Sequence, residues 1–248
     1  MFSAMQMTSS TLLFFALCVA AGSLVASVEN HFPHAVEPAS GVQFPLEMPG
    51  EESTLSLAGS AIRVKKVVFV NVQVYAVGLY VNAPKLAAAI GKTIDAADAG
   101  LYKKLLAGDS VIPMAIRLTM VRTVGGDTMS GALKEAVEPR MKAVAASSGA
   151  DVESPLKAFT ALFDMPNLET GTTLVFQWKA GGRLAAEIGG KHKGEVAAPA
   201  LCEALFSVFL DESAVVERKD LIGRLAELVA AVPEPEPAQP AAAPEPEA

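Results

Sequence analysis

The chain has 248 residues, of which 51% are hydrophobic and 19% charged, and its formal net charge is −7. This size and balance are typical of one ordinary globular domain with tails. The sequence has no basic stripe, which argues against a nucleic-acid partner. Four glutamates lie in the C-terminal tail, and leaving them out changes the net charge from −7 to −3, so charge indicates little about other partners.

Residues 1–26 differ in kind from the rest. Residues 12–26 are apolar and end in small residues, which is typical of a signal-peptide core and too short for a membrane span of about 20 residues. The first cation in the chain is Arg63, although signal peptides usually begin with positive charge. We predict a cleavable targeting segment, with an uncleaved anchor or a plastid presequence as alternatives. The expected location is secretory, extracytoplasmic or an organelle (plastid) lumen, with no stable membrane span after processing.

Residues 27–52 are polar, proline-spaced and irregular, so we interpret them as a lead-in on the surface of a domain that spans 53–232. Within that domain, 53–57 are expected to start a sheet, and 62–81 are almost pure β-formers. This second run is too long for one strand of about 5–6 residues. Because Asn71 is its only turn-former, we predict a hairpin bend near Phe69 to Asn71.

A bend at this place brings two polar side chains together. Folded about residue 69, Arg63 and Tyr75 become cross-strand neighbours on one face of the sheet. A guanidinium beside a phenol suits a carboxylate or a phenolate oxygen, because both groups offer donors. The alternative is that Arg63 is a solvated strand residue beside Lys65 and Lys66.

The remaining elements follow from periodicity and from turn residues. We predict one or two helices over 85–107 broken near Gly91 and Gly100, a strand at 112–121, a turn at 125–127, a helix at 128–147 capped by Asp127 or Thr128, a helix at 154–163, a hairpin of 172–179 with 183–189, and helices at 195–210 and 213–232. This order favours an α+β fold in which an antiparallel sheet carries helices on one face.

Several features argue against other kinds of site. His31, His34 and His192 have no metal-ligand spacing, and the Gly-Gly pairs lack a phosphate-loop pattern, so we predict no metal and no cofactor. Residues 233–248 consist of Pro, Glu, Ala and one Gln, which cannot build a core and predict a disordered tail.

The two strands of the predicted hairpin carry a resemblance. Residues 59–63 (Gly-Ser-Ala-Ile-Arg) and 74–80 (Val-Tyr-Ala-Val-Gly-Leu-Tyr) together resemble the chalcone isomerase family, and most of all its non-catalytic branch of fatty-acid-binding and chalcone-isomerase-like proteins. Residues 37–45 resemble the segment that precedes the sheet in that branch, and the likeness extends over about 36–232. It implies an open-faced β-sandwich in which a large sheet and a helical layer enclose an apolar cleft.

The resemblance also implies where the site residues lie. The arginine that holds the anion in catalytic members falls on Arg63 and is kept, whereas the hairpin threonine falls on Tyr75. The helix tyrosine and asparagine fall on Met129 and Ala136, seven residues apart and so on one helical face, and a later hydroxyl falls on or near Val208. Three polar positions have therefore become apolar.

This set of residues favours binding over catalysis. Ring closure of a chalcone needs donors at the enone oxygen, and losing one donor can reduce the rate by about 10²–10³. We therefore predict a non-catalytic carrier that binds a fatty acid or similar amphipathic anion through Arg63, Tyr75, Met129, Ala136 and Val208, with no catalytic residue. The alternatives are a chalcone isomerase-type intramolecular lyase and an accessory or structural protein with a filled core and no ligand.

Overall fold

The computed structural model describes residues 33–91, 93–95, 98–107 and 112–233. The predicted targeting segment, the start of the predicted lead-in and the predicted tail after Pro233 lie outside these residues. The assignments made for them from the sequence therefore stay predictions, as do the domain boundaries.

The centre of the fold is a seven-stranded sheet in which all neighbouring strands are antiparallel. Its members are β3 (Glu47–Pro49), β4 (Thr54–Val67), β5 (Val70–Val81), β6 (Met114–Met120), β9 (Thr173–Lys179), β10 (Arg183–Ile188) and β11 (Lys191–Ala197), in the spatial order β11-β10-β9-β6-β5-β4-β3. Two small ladders stand outside it, β1 (His34–Val36) with β2 (Gln43–Pro45) and β7 (Val124–Gly125) with β8 (Asn167–Leu168).

Helices cover one face of this sheet. They are α1 (Ala83–Ile90), α2 (Ala99–Leu106), α3 (Gly126–Ser148), α4 (Glu153–Ala161), α5 (Pro199–Leu210), α6 (Arg218–Leu221) and α7 (Leu225–Ala230). Alternate strand residues such as Leu118 and Phe176 share one buried cluster with helix residues such as Leu133 and Leu205. The predicted α+β fold, an antiparallel sheet under a helical layer, is thus confirmed. In the part of the chain described, no helix combines the length and hydropathy that crossing a membrane requires.

The opposite face of the sheet is covered in part by the N-terminal strands. Phe44 and Met48 pack there with Ala76 and Ala115, and the Tyr80 hydroxyl donates a 2.9 Å hydrogen bond to a backbone carbonyl of β2. The prediction of an irregular lead-in is therefore wrong for residues 34–36, 43–45 and 47–49, whereas residues 37–42 between the first two strands are irregular. Three short strands form in this region, because two of them pair with each other and β3 extends the main sheet.

The turn of the long hairpin overlaps the one predicted at Phe69 but begins one residue earlier. Val67 pairs with Val70, so the turn is at Val68 and Phe69, whereas Asn71 is already within β5. The predicted strand start at 53–57 also proves to be part of β4, which is one continuous strand of 14 residues.

Two irregularities in this hairpin set the register. One extra residue, Ala58, interrupts the ladder on β4, and another, Val74, interrupts it on β5. The extra residue on β5 compensates for the displaced turn, and Arg63 pairs with Tyr75. The cross-strand pairing predicted for these two residues is therefore confirmed.

The other differences lie at helix boundaries. Gly100 lies inside α2, because the Asp98 carboxylate caps the helix by accepting a 2.8 Å hydrogen bond from the Gly100 backbone N–H. Helix α3 begins at Gly126, inside the predicted turn, with Gly125 at its N-cap in place of Asp127 or Thr128. Only glycine fits at 126, since a Cβ there would lie 1.9 Å from a backbone oxygen of Met165.

Two C-terminal predictions are also wrong in detail. Residues 195–197 belong to the edge strand β11, and the helix that follows starts only at Pro199. The single helix predicted over 213–232 is interrupted, leaving the short α6 and α7. Residues 222–224 between them fold against β4, where the Arg224 backbone N–H donates a 2.8 Å hydrogen bond to the Ala58 carbonyl.

Candidate functional site

A cavity of about 850 Å³ lies between the β4–β5 hairpin and α3. Its volume falls in the range of about 300–1,000 Å³ that is usual for small-molecule pockets. All five residues that the sequence singled out line it: Arg63, Tyr75, Met129, Ala136 and Val208. The structure thus brings these residues together, and their role as ligand contacts stays a prediction.

Helix α3 supplies one wall of the cavity. Met129, Leu133 and Ala136 line it at intervals of four and three residues, and this spacing places them on one helical face. Thr128 and Ala132 line the same wall. Because two of these five side chains are only methyl groups, this face leaves space in front of the sheet.

Arg63 lies half-buried on the hairpin wall. Its Nη1 donates to the Val215 carbonyl at 2.9 Å and to the Val64 carbonyl at 3.1 Å. Among the residues that the structure describes, no carboxylate lies within ion-pair distance of this guanidinium. Arg63 is therefore not the solvated residue of the alternative prediction, and its charge has no protein counter-ion in this part of the chain.

An ion pair fixes the segment that holds Arg63. Arg140 on α3 binds both carboxylate oxygens of Asp211, at 2.7 and 3.1 Å, and also donates to the Ser213 carbonyl at 3.1 Å. The backbone N–H of Val215 then donates to the Val208 carbonyl at 2.9 Å. A bidentate arginine–carboxylate pair has a defined geometry, so it positions this segment against α3 and α5.

Tyr75 is buried beside Arg63, and burial raises the pKa of its phenol to about 12, an effect that the positive charge of Arg63 opposes. Among the described residues, its hydroxyl has no hydrogen-bond partner, yet it is not one of the fully enclosed unpartnered polar atoms, which are Arg117 Nε and Thr119 Oγ1. The hydroxyl therefore reaches the cavity, where it is a neutral donor at physiological pH.

Sequence reasoning missed the polar rim of the cavity. Arg122, Thr123 and Glu135 line it together with Lys65. Arg122 and Thr123 lie two and three residues after the end of β6, and a strand end close to a helix start is a usual place for binding residues. The Thr123 hydroxyl already donates a 2.8 Å hydrogen bond to Glu169.

Other reactive groups in the described residues form no site of their own. No group of three or more histidine, cysteine, aspartate or glutamate side chains is placed there to hold a metal ion. The thiol of Cys202 is buried within α5, and burial raises its pKa to about 12, which keeps it protonated and unreactive.

Comparison with known proteins identifies a family and similar solved structures. A family model described as chalcone isomerase-like matches residues 36–221. A crystal structure of a fatty-acid binding protein from Arabidopsis thaliana superposes with a TM-score of 0.68 at 26% sequence identity, covering 79% of this chain and 99% of that one. No curated protein sequence matches.

Proposed function

Because this chain belongs to the chalcone isomerase-like family, we propose that its cavity binds a fatty acid or a similar amphipathic carboxylate without converting it. The Arabidopsis structure that it resembles is that of a fatty-acid binding protein. The observation that carries the proposal is a half-buried arginine without a carboxylate partner among the described residues, facing a cavity with largely apolar walls.

The ligand's head group would bind at Arg63. A charged group away from bulk water needs a partner, and a carboxylate accepts hydrogen bonds from a guanidinium and a phenol together. The Nη1 of Arg63 is engaged with backbone carbonyls, so its remaining N–H groups and the Tyr75 hydroxyl are the donors for the carboxylate. The same arrangement would suit other compact organic anions with an apolar body.

The ligand's alkyl chain would lie against Met129, Leu133, Ala136 and Val208. Burying one methylene contributes about 0.8 kcal/mol, so about ten contribute roughly 8 kcal/mol before the entropy cost of binding. A carboxylate alone would bind weakly at an arginine that is still in contact with solvent, and the apolar contacts therefore supply most of the affinity.

The cavity is less suited to ring closure of a chalcone. Stabilising an enolate oxygen requires donors placed where negative charge develops. Met129, Ala136 and Val208 have no hydrogen-bonding side-chain groups that could serve as such donors. Loss of chalcone absorbance well above the spontaneous rate would restore the lyase alternative.

The test is calorimetric titration of delipidated protein with a long-chain fatty acid and with the fatty alcohol of the same length. We expect the acid to bind the wild type, and Arg63→Ala to weaken its binding by about ten- to a hundredfold, since a charged hydrogen bond is lost. The alcohol, which has no charge to pair, should bind both proteins about equally.

Arg183→Ala is the matched control, because Arg183 pairs with Glu51 and Glu195 at the surface and does not line the cavity. It should leave both affinities unchanged. Failure of the wild type to bind any fatty acid, or equal binding of the acid by Arg63→Ala, would contradict the proposal.

The predicted targeting segment bears on where binding takes place. We propose, in agreement with the prediction from the sequence, that the mature chain begins near residue 27. It would then act in a secretory, extracytoplasmic or organelle compartment. Mass spectrometry of the mature N-terminus in the native host tests this, and an intact Met1 would contradict it.

A further inference from the structure

The tip of the β4–β5 hairpin exposes large apolar side chains to solvent. Val67, Val68, Phe69 and Val70, here called the apolar tip, are 50%, 77%, 91% and 63% exposed. Single exposed apolar residues are ordinary, but four in succession are not. They belong to neither buried cluster of the described residues, so packing within that part of the chain does not account for them.

Turn chemistry does not account for them either. Val68 has a φ of 55°, a left-handed conformation in which its branched Cβ crowds the backbone. Two-residue hairpin turns favour Asn, Asp or Gly there, and Asn71 is close by in the sequence. The backbone of the turn is therefore strained because a branched apolar residue occupies a left-handed position. Such strain is commonly found at functional sites.

The hairpin also projects away from the sheet. Strand β6 pairs with β5 only from Tyr75 onward. The last backbone hydrogen bond between this part of β5 and the residue after β6 is accepted by the Val74 carbonyl. From Val74 to Val70 the strand extends about 13 Å at roughly 3.3 Å per residue. This reach exceeds the depth of about 5–10 Å to which peripheral apolar surfaces enter the interface of a bilayer.

The charge around the apolar tip is positive although the whole chain is acidic. The sequence has no Asp or Glu between Glu52 and Asp95. Lys65 and Lys66 directly precede the tip and are exposed. Apolar side chains flanked by lysines complement a bilayer surface that carries anionic lipids, where each lysine adds attraction.

The apolar tip is continuous with the cavity. Val67 belongs to the tip and also lines the cavity, and Val72 and Val74 continue the cavity wall along β5. A molecule in the bilayer would meet an apolar path from the tip to the cavity. Across the cavity, Glu135 on α3 is the lining carboxylate, and it belongs to the wall opposite the hairpin.

We infer that the apolar tip inserts into the interface of anionic bilayers, with Lys65 and Lys66 on the head groups. This docking directs the mouth of the cavity toward the membrane. Attachment itself does not depend on the proposed ligand. The further step, in which a fatty acid passes between bilayer and cavity, rests on the proposed function.

The experiment places a reporter at the tip of the full chain. The only tryptophan, Trp178, is buried, so Phe69→Trp adds one exposed indole. Vesicles of phosphatidylcholine with phosphatidylglycerol, carrying brominated acyl chains, should quench the new tryptophan, and vesicles of phosphatidylcholine alone should quench it far less. Lys65→Gln with Lys66→Gln should weaken the binding about thirtyfold, and added salt should weaken it further.

Val36→Trp is the matched control, because Val36 is an exposed valine on β1 and is not part of the hairpin. Its tryptophan should stay unquenched. Val68→Asn, which suits the left-handed turn, should keep the fold and weaken vesicle binding several-fold.

Quenching at residue 36 without quenching at residue 69 would overturn the inference, and so would vesicle binding as tight as that of the wild type by both Val68→Asn and the double lysine variant. So would a wild-type dimer that Phe69→Ser converts to a monomer with vesicle binding unchanged, since the tip would then be a self-association surface. Loss of tip quenching with intact fatty-acid binding would refute membrane docking alone.

Discussion

The space between the sheet and the helices is filled at one end and open at the other. At the filled end, Trp178 pairs with Met114 in the sheet and its ring lies 5.3 Å from that of Phe206 on α5. At the open end of β6, Met120 pairs with Tyr75, and the facing helix presents Ala136. Both ends have the same sheet below and helices above.

The difference between the two ends is one of side-chain volume. Three phenylalanine rings, those of Phe159, Phe163 and Phe176, meet at centroid distances of 5.5 to 6.2 Å in the closed part. Protein interiors close-pack wherever side chains are large enough to meet. The cavity therefore exists because the cavity-facing side of α3 carries alanines, whereas the rings at the other end bridge the same gap.

The largest expected effect comes from opening the filled end. Phe176→Ala should lower the free energy of unfolding by about 3–5 kcal/mol, because it removes a ring from a closed cluster. Met129→Ala, at the cavity wall, should cost about 2 kcal/mol, at the low end for such a truncation, since Met129 lines the cavity and is not enclosed by rings. Urea denaturation of both variants measures this, and equal losses would contradict the comparison.

The second change fills the open end. Ala136→Phe should occupy the cavity and weaken fatty-acid binding at least tenfold, while the free energy of unfolding changes by less than about 1 kcal/mol because no closed packing is disturbed. Ala143→Phe is the control, because Ala143 is exposed on the same helix outside the cavity. Unchanged binding by the first variant would show that the ligand lies elsewhere.

The third and smallest effect concerns the phenol at the open end. The pKa of Tyr75 is raised by burial to about 12, whereas an unfolded tyrosine has a pKa of about 10. Above pH 10 the unfolded state loses this proton first, so stability is unaffected below pH 10 and falls from pH 10 to 12.

Tyr75→Phe should reduce that alkaline loss by about 1–2 kcal/mol, measured as the difference in unfolding free energy between pH 9 and pH 11.5. Tyr80, whose pKa is also raised by burial, contributes equally to both proteins and cancels in the comparison. The same pH slope in wild type and variant would mean that the Tyr75 hydroxyl is solvated.

Much of the fold follows from local patterns in the sequence. The alternation at 112–121 predicts β6 with Ile112, Met114, Ile116, Leu118 and Met120 on one face, and all five are buried. The β-former run predicts the hairpin and the Arg63–Tyr75 pair. These features depend on period and composition, which a single sequence contains.

The remaining features depend on tertiary contacts. Strand β11 is polar and mostly exposed, and it exists because it pairs along β10 at the edge of the sheet. The turn at Val68 contradicts turn preferences, so no local rule predicts it. The five cavity residues could be named from the family resemblance, but the open space between them depends on how far apart the sheet and α3 stand.

The extra residue Val74 determines how the projecting part of the hairpin could be altered. Because side chains alternate along a strand, deleting a single residue there would turn the neighbouring side chains to the wrong face. Deleting two residues from each strand, such as Lys65 with Lys66 and Asn71 with Val72, would shorten the projection by about 7 Å and keep that alternation. The extra residue Val74 lies closer to the rest of the sheet than the deleted residues do. Arg63 and Tyr75 would thus keep their orientation at the base of the hairpin, while the outer part of the cavity wall, which includes Lys65 and Val72, would be removed together with the projection.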